Sequence, residues 1–224
     1  MTSPRLLDDE ALEQSSVVAN NAMNRDRNLD GVNSYRKDLG FDPLSCLTGE
    51  GQSWLDICCG SGRALIQAAR AHPHLRLTGV DLVDFFDPTG AGLPGLTLTA
   101  ASIVGWRPDH AFDLITCVHG LHYVGDKLGV VARALRWLKP DGFFAAHLDL
   151  SNLKLVDGGR MPALKGLRYD SHRRLVTRRG PLEMHLGLEY VGADDTCGPN
   201  FTGQPAVDSY YRPVSAPRRR RGPA

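Results

Sequence analysis

No run in this sequence approaches the roughly 18–20 consecutive apolar residues that a helix needs to cross a bilayer. The opening residues, Met1-Thr2-Ser3-Pro4-Arg5 running into Asp8-Asp9-Glu10, lack the charged and apolar regions of a signal peptide. A cytoplasmic protein with no membrane partner is therefore expected. Cysteines are few and odd in number: Cys46, Cys58, Cys59, Cys117 and Cys197 contain no C-x-x-C pair. A bridge between the adjacent Cys58 and Cys59 would need strained geometry. The paired spacings of a zinc site are absent, so no metal is expected. Asp26-x-Asn28-x-Asp30-Gly31 opens like a calcium loop, but Lys37 stands at the twelfth position, where a bidentate glutamate belongs. Excess charge of either sign is also lacking, since 26 Lys and Arg face 25 Asp and Glu for a formal net charge of +1. Setting aside Arg218 to Arg221 leaves 22 basic against 25 acidic residues, so the body is mildly acidic and the end is basic. That balance argues against a chain working mainly by attraction to nucleic acid.

What is present fits one domain with a cap. The 224 residues are enough to bury a core without staples, and no internal repeat is visible. Leu6 to Met23 reads as a helix, 24–41 as a loop or broken helix, and Pro43 to Leu47 as a short helix. From Ser53 the rhythm changes. Apolar runs at 54–57, 75–83, 96–103, 112–118 and 143–150 read as strands. Arg63 to His72 and Asp126 to Leu138 read as amphipathic helices. Pro73 and Lys139-Pro140-Asp141-Gly142 break them. Strands alternating with helices of this length predict βαβ units and a parallel sheet. Leu182 to Val191 and Val207 to Tyr211 read as a closing strand pair, joined by the long loop Gly192 to Pro205. The arginines of 151–180 read as a solvated face, and His147 as a core histidine.

Asp56-Ile57-Cys58-Cys59-Gly60-Ser61-Gly62 falls where the first strand meets the first helix. Glycine there admits a ligand close to the backbone, and the helix start offers free N–H groups and a positive dipole end. Asp81 ends the next strand, 19 residues beyond Gly62, a distance at which an acid typically takes ribose hydroxyls. The third position of the dinucleotide fingerprint falls on Leu65, too large for that role, which disfavours a dinucleotide oxidoreductase. Asp56 would repel a pyrophosphate and favour an ammonium and a sulfonium. The ligand these features select is S-adenosylmethionine.

Leu55 to Gly62 resembles motif I of class I S-adenosylmethionine-dependent methyltransferases. Gly79-Val80-Asp81-Leu82 resembles their acidic ribose motif, Phe112 to Cys117 their fourth strand, and Leu138 to Gly142 the turn before their fifth. The resemblance covers roughly 53–150. It implies a Rossmann-like, doubly wound α/β sheet of seven strands whose last strand is antiparallel. It also implies a cofactor site of Asp56, Cys58, Cys59, Gly60, Ser61, Gly62, Asp81, Leu82, Ser102, Ile103 and Val118. Cys58 stands where the family usually has its first glycine. Many members carry an acid after the third strand that reads the adenine amino group, whereas this chain has Ala100-Ala101-Ser102-Ile103.

Methyl transfer requires an aligned nucleophile, and a base where that nucleophile carries a proton. His119 and His122 follow the fourth strand and are candidates for base or orienter. The stretch Cys117 to Tyr123 is also similar to that of mRNA cap guanine-N7 methyltransferases, which makes His122 and Tyr123 candidates for lining the substrate pocket. Tyr35, with Asn33 and Arg36, belongs to a segment placed to close over the site, where these residues are candidates for reaching the substrate or the carboxylate end of the cofactor, Tyr35 as a substrate-binding residue. No Asn/Asp-Pro-Pro-Tyr follows the fourth strand, and no acidic pair stands there. The expected activity is methyl transfer to O or N of a small molecule such as a specialised metabolite. The alternatives are a non-methylating reaction such as cyclisation on the same fold, or an RNA-associated methyltransferase. The expected divisions are a cap over 1–50, the cofactor-binding domain over 51–213 and a basic tail over 214–224.

Overall fold

Alternation of apolar residues sends β1 (Ser53–Ile57) into two cores at once. Trp54 packs on one face of the sheet and Leu55 and Ile57 on the other. The computed structural model describes residues 5–19 and 26–214, so the arginine run 218–221 lies outside it. After α1 (Asp9–Glu13) and α2 (Tyr35–Leu39), the chain follows the βα rhythm. It runs through β1, α3 (Arg63–Ala71), β2 (Arg76–Asp81), β3 (Leu96–Ala100), β4 (Phe112–Cys117), α4 (Lys127–Arg136) and β5 (Leu138–His147). It then turns to short strands: β6 (Leu153–Leu155), β7 (Arg168–Asp170), β8 (Leu175–Arg179), β9 (Leu188–Asp194) and β10 (Asp208–Pro213).

Seven strands form one sheet in the order β3-β2-β1-β4-β5-β8-β7. The first five are parallel, whereas β8 runs antiparallel to both β5 and β7. Helix α3 covers one face together with Leu29, Tyr35, Leu39 and Leu47, and α4 covers the other. The sheet is thus doubly wound, and its order reverses between β1 and β4, the place where open α/β sheets bind ligands.

The helices carry the expected signals. Asp126 caps α4 by accepting the Gly129 N–H, and the last turn holds Arg133 and Arg136. Leu128, Val131 and Leu135 of α4 are fully buried. Each contributes about 1.5–3 kcal/mol relative to exposure. Leu65 of α3 is also fully buried, and it sits against Gly79 of β2, where a Cβ would lie 2.9 Å from its Cδ1. The strand glycine thereby accommodates the bulk that the third glycine of a dinucleotide fold would avoid. Lys139-Pro140-Asp141-Gly142 is a bulge at the start of β5, since Leu138 pairs with Phe112 and Phe143 with Leu114.

The C-terminal half corrects one expectation. β9 and β10 pair antiparallel, as the expected strand pair should, but they build a separate sheet, β6-β10-β9. The hairpin that closes the main sheet is β7–β8, inside the arginine-rich segment expected to be a solvated face. Leu175 and Val176 are buried there while Arg179 is exposed, and the charged edge strand β7 discourages edge-to-edge pairing. The buried Lys127 ties this second sheet to α4, donating to Val124 O at 2.8 Å, Val207 O at 2.6 Å and Ser209 Oγ at 2.9 Å. The helix expected over 6–23 is confined to α1, with turns beyond it to Ala19. Leu7 instead exchanges backbone hydrogen bonds of 2.8 Å with Ala193 of β9.

Candidate active site

The turn after β1 is built on left-handed backbone. Cys58 has φ 57°, Gly60 60° and Gly62 76°. The first is costly for a residue with a Cβ and explains why glycine suits that position. Gly62 is the N-cap of α3 without a side-chain cap, which leaves the first N–H groups of the helix to the turn. Asp81, at the end of β2, clasps this turn: Oδ2 accepts the Gly60 N–H at 2.8 Å and Oδ1 the Val83 N–H at 3.2 Å. Beneath the turn lies a buried relay. Trp54 Nε1 donates to Thr116 Oγ1 at 2.7 Å, and Thr116 Oγ1 donates to Asp56 Oδ1 at 2.6 Å. Tyr35 Oη donates to Asp56 Oδ2 at 2.6 Å. Burial pushes the Asp56 carboxyl up to about 7; the two hydroxyl donors pull it down and nearby Asp81 adds to the rise.

A pocket opens over the carboxyl ends of β1, β2 and β4. Cys58, Cys59, Gly60, Asp81, Leu82, Ile103 and Val118 line it, as do His119, His122, Tyr123 and Tyr35. Four residues expected at the cofactor do not line it: Asp56, Ser61, Gly62 and Ser102. Asp56 lies behind Tyr35, which does reach the wall. Gly62 shapes the turn, since a Cβ there would meet Leu98 at 2.9 Å. Ser102 donates its hydroxyl to Glu13, and Glu13 lines the pocket. Asn33 and Arg36 lie off the wall too, Asn33 bonded to Arg27 and Arg36 paired with Asp30 and Asp42.

The family model described as a methyltransferase domain matches residues 31–185. The chain belongs to that family. Among curated relatives, it is 30% identical over 95 residues to a trans-aconitate 2-methyltransferase of Acidovorax sp. (strain JS42), covering 42% of this chain and 37% of that one. It is 31% identical over 134 residues to a trans-aconitate 2-methyltransferase of Pseudomonas aeruginosa (strain UCBPP-PA14), covering 54% and 49%. The chain therefore spans half or less of the length of these relatives. A coclaurine N-methyltransferase bound to N-methylheliamine and SAH aligns with a TM-score of 0.41 at 18% identity, over 46% of this chain and 32% of that one.

Two imidazoles, His119 and His122, line the pocket, and a third, His147, stacks on His119. His119 has φ 60° and stacks on His147 with centroids 4.0 Å apart, and His122 lies 5.7 Å from His119. Asp38 Oδ2 lies 3.5 Å from His119 Nε2 and 2.6 Å from Arg27 Nη1. Although burial works against it, the Asp38 carboxyl is held below its ordinary value by His119 and Arg27. Burial first, and then the neighbouring cations, push His122 down to about 2; burial chiefly brings His147 down to about 3. Both are neutral at neutral pH. The sequence reading missed several wall residues: Asp9, Glu13 and Arg27 from the N-terminal segment, and Asn200, Thr202 and Gln204 from the long loop. Loop length was the one signal of the last three, and nothing local marks Glu13. Among the described residues no group of three or more His, Cys, Asp or Glu is placed to hold a metal, and no helix is long and apolar enough to cross a membrane.

Proposed function

We propose that the protein is a cytoplasmic S-adenosylmethionine-dependent methyltransferase that transfers a methyl group to O or N of a small molecule. The observation that carries this reading is the pocket at the β1/β4 reversal, with Asp81 clasping the glycine turn at its edge. The donor set suits this cofactor. Three carboxylates, Asp9, Glu13 and Asp81, line the pocket, and Arg27, the cation beside them, is committed to Asp38. Such a wall favours a ligand carrying an ammonium and a sulfonium and disfavours a pyrophosphate.

In this reading Asp81 holds the ribose, the turn 58–62 supplies backbone contacts, and Leu82, Ile103 and Val118 provide apolar contact. Glu13, anchored by Ser102, supplies the acid that β3 lacks. Asp56 acts through Tyr35. When bound, the cofactor supplies an electrophilic methyl group. His119, oriented by Asp38, holds or moves the proton of the acceptor. His122, neutral and deeply buried, orients the acceptor with Tyr123. The described residues of 1–50 form a cap, which contributes Asp9, Leu12, Glu13, Val18, Arg27 and Tyr35 to the wall. The relatives named for trans-aconitate support a small-molecule acceptor.

Calorimetry with S-adenosylhomocysteine tests the cofactor. Asp81→Ala is expected to weaken binding about tenfold or more, since a charge-assisted hydrogen bond contributes about 1.5–3 kcal/mol. Unchanged affinity contradicts the ribose assignment.

A further inference from the structure

The loop between β9 and β10 folds back on itself through a bridge between Pro199 and Pro205. Its tip places Phe201 5.5 Å from the His122 ring and 4.4 Å beneath the Arg174 guanidinium, which is itself held by Asp149. Asn200 is 8% exposed, and its carboxamide is oriented by the turn: Oδ1 accepts the Thr202 N–H at 2.7 Å and the Thr202 hydroxyl at 2.6 Å. That fixes the amino end as the remaining group. Nδ2 is buried and has no hydrogen-bond partner among the described residues. Gln204 Oε1 is buried and unpartnered in the same way, and so are both ring nitrogens of His122, which is 1% exposed. All three residues border the pocket. Buried polar atoms are seldom left unpaired without a reason, and each costs free energy until something meets it.

These atoms form a set of fixed chemistry. Asn200 offers a donor and Gln204 an acceptor. A neutral His122 offers one of each, and its burial keeps it neutral. The cations nearest His122 are committed elsewhere: Lys127 to Val124 O, Val207 O and Ser209, and Arg174 to Asp149. The charged residues of the wall among those described are Asp9, Glu13, Asp81 and Arg27, and Arg27 is bonded to Asp38 at 2.6 Å and to Asn33 at 2.9 Å. A carboxylate entering here would meet no uncommitted cation and would add to an acidic wall.

We infer that His122, Asn200 and Gln204 form the subsite for the methyl acceptor, and that it takes an uncharged small molecule presenting a paired donor and acceptor of the carboxamide type in preference to a carboxylate. This rests on the methyltransferase reading of the same pocket and adds its substrate class. The inference separates the protein from relatives named for trans-aconitate, a compound whose recognition calls for cations. Asn200 and Gln204 become specificity-determining residues.

Ligand-observed NMR titrations on the full chain, with and without saturating S-adenosylhomocysteine, compare matched pairs: benzamide against benzoate, and cinnamamide against cinnamate. Each carboxamide is expected to bind about tenfold tighter than its carboxylate, because sites built to hydrogen-bond a group reject the analogue lacking it. Asn200→Asp keeps the oxygen that holds the Thr202 turn and loses the donor. Gln204→Met removes the acceptor at similar volume. Each is expected to lower carboxamide affinity by about fivefold or more while S-adenosylhomocysteine affinity is unchanged. Carboxylates binding as tightly as carboxamides, no carboxamide binding at millimolar concentration, or unchanged affinity in both variants overturns the subsite. If S-adenosylhomocysteine fails to bind while the carboxamide preference persists in the unloaded chain, the cofactor reading falls and the subsite stands.

Discussion

Asp56 is legible in the sequence as a negative charge ahead of the glycine turn, but the fold changes what that charge does. Its carboxyl is buried, accepts from Thr116 and Tyr35, and is pushed up to about 7, so near neutral pH it is only partly ionised. A cation settling on the far side of Tyr35 favours the carboxylate. Binding of S-adenosylmethionine is therefore expected to release a proton and to strengthen as pH rises from about 6 to about 8, by less than the tenfold per pH unit that a single group allows. Asp56→Asn removes the slope. It also leaves one of the two hydroxyl donors without an acceptor, at a cost of about 1–3 kcal/mol in stability. Calorimetry at three pH values, on wild type and variant, checks both. A wild-type affinity that stays flat with pH shows that Asp56 does not sense the ligand. Glu13 is the converse case: an unmarked residue that is brought to the pocket by tertiary structure and held there by Ser102.

At the scale of elements, the turn after β1 and the turn after β4 are fitted to each other. A Cβ on Gly120 would lie 2.3 Å from Cys58 Cβ and 3.0 Å from Cys117 Sγ. Gly120→Ala is therefore expected to cost about 1–3 kcal/mol from overpacking. Cys58→Gly removes the opposing Cβ and relieves left-handed backbone at φ 57°, so the double variant should recover much of the loss. A double-mutant cycle from urea unfolding measures the coupling, and additive effects contradict the fit. This pairing depends on cysteine and glycine sharing one contact, which no local pattern reveals. The elements that were legible are those with strong period and punctuation: β1 to β5, α3 with its stop at Pro73, and α4 with its Asp126 cap. β7 and β8 were hidden because short strands rich in arginine carry too little alternation. The apolar run after 182 was legible as strand, but its placement in a second sheet depends on Lys127 and on pairing with β6, both distant in sequence. The helix expected over 6–23 lost to tertiary pairing, since Leu7 joins the edge of β9. In the site, the strand ends carry a local signal that marks Cys58 to Gly60, Asp81 and Val118, all on the pocket wall, whereas the cap and the 192–205 loop contribute through packing.

Over the whole molecule, the near-neutral total charge conceals buried groups whose titration opposes one another. His122 and His147 are brought down from 6.5 to about 2 and about 3, chiefly by burial. Between pH 6.5 and about 3 the unfolded chain binds protons at these positions that the folded chain refuses, so stability falls as the solution is acidified. Asp56 acts the other way: its folded value of about 7 lies above the ordinary 3.8, so in that interval the folded chain holds a proton the unfolded chain has lost. Two histidines against one aspartate leave a net loss of stability with acidification through the middle of the window. At its acid end Asp38 and Asp113, held below the ordinary carboxylate value, deepen the loss, while Asp9 and Glu13, raised by burial, work against it. Above neutrality the sign comes from Lys127. Burial lowers it from 10.5 to about 7, so the unfolded chain binds the extra proton and stability rises with pH until the raised thiols of Cys58 and Cys59 begin to oppose it near 9. The thermal midpoint is thus expected to climb from pH 5 through pH 7 and on to about 8.5, without the plateau near neutrality common among proteins. His147→Gln should shallow the acid limb, and Lys127→Met should flatten the limb above 7. A midpoint that peaks near pH 6 and falls by pH 8 in the wild type would show that these buried groups do not set the stability of the fold.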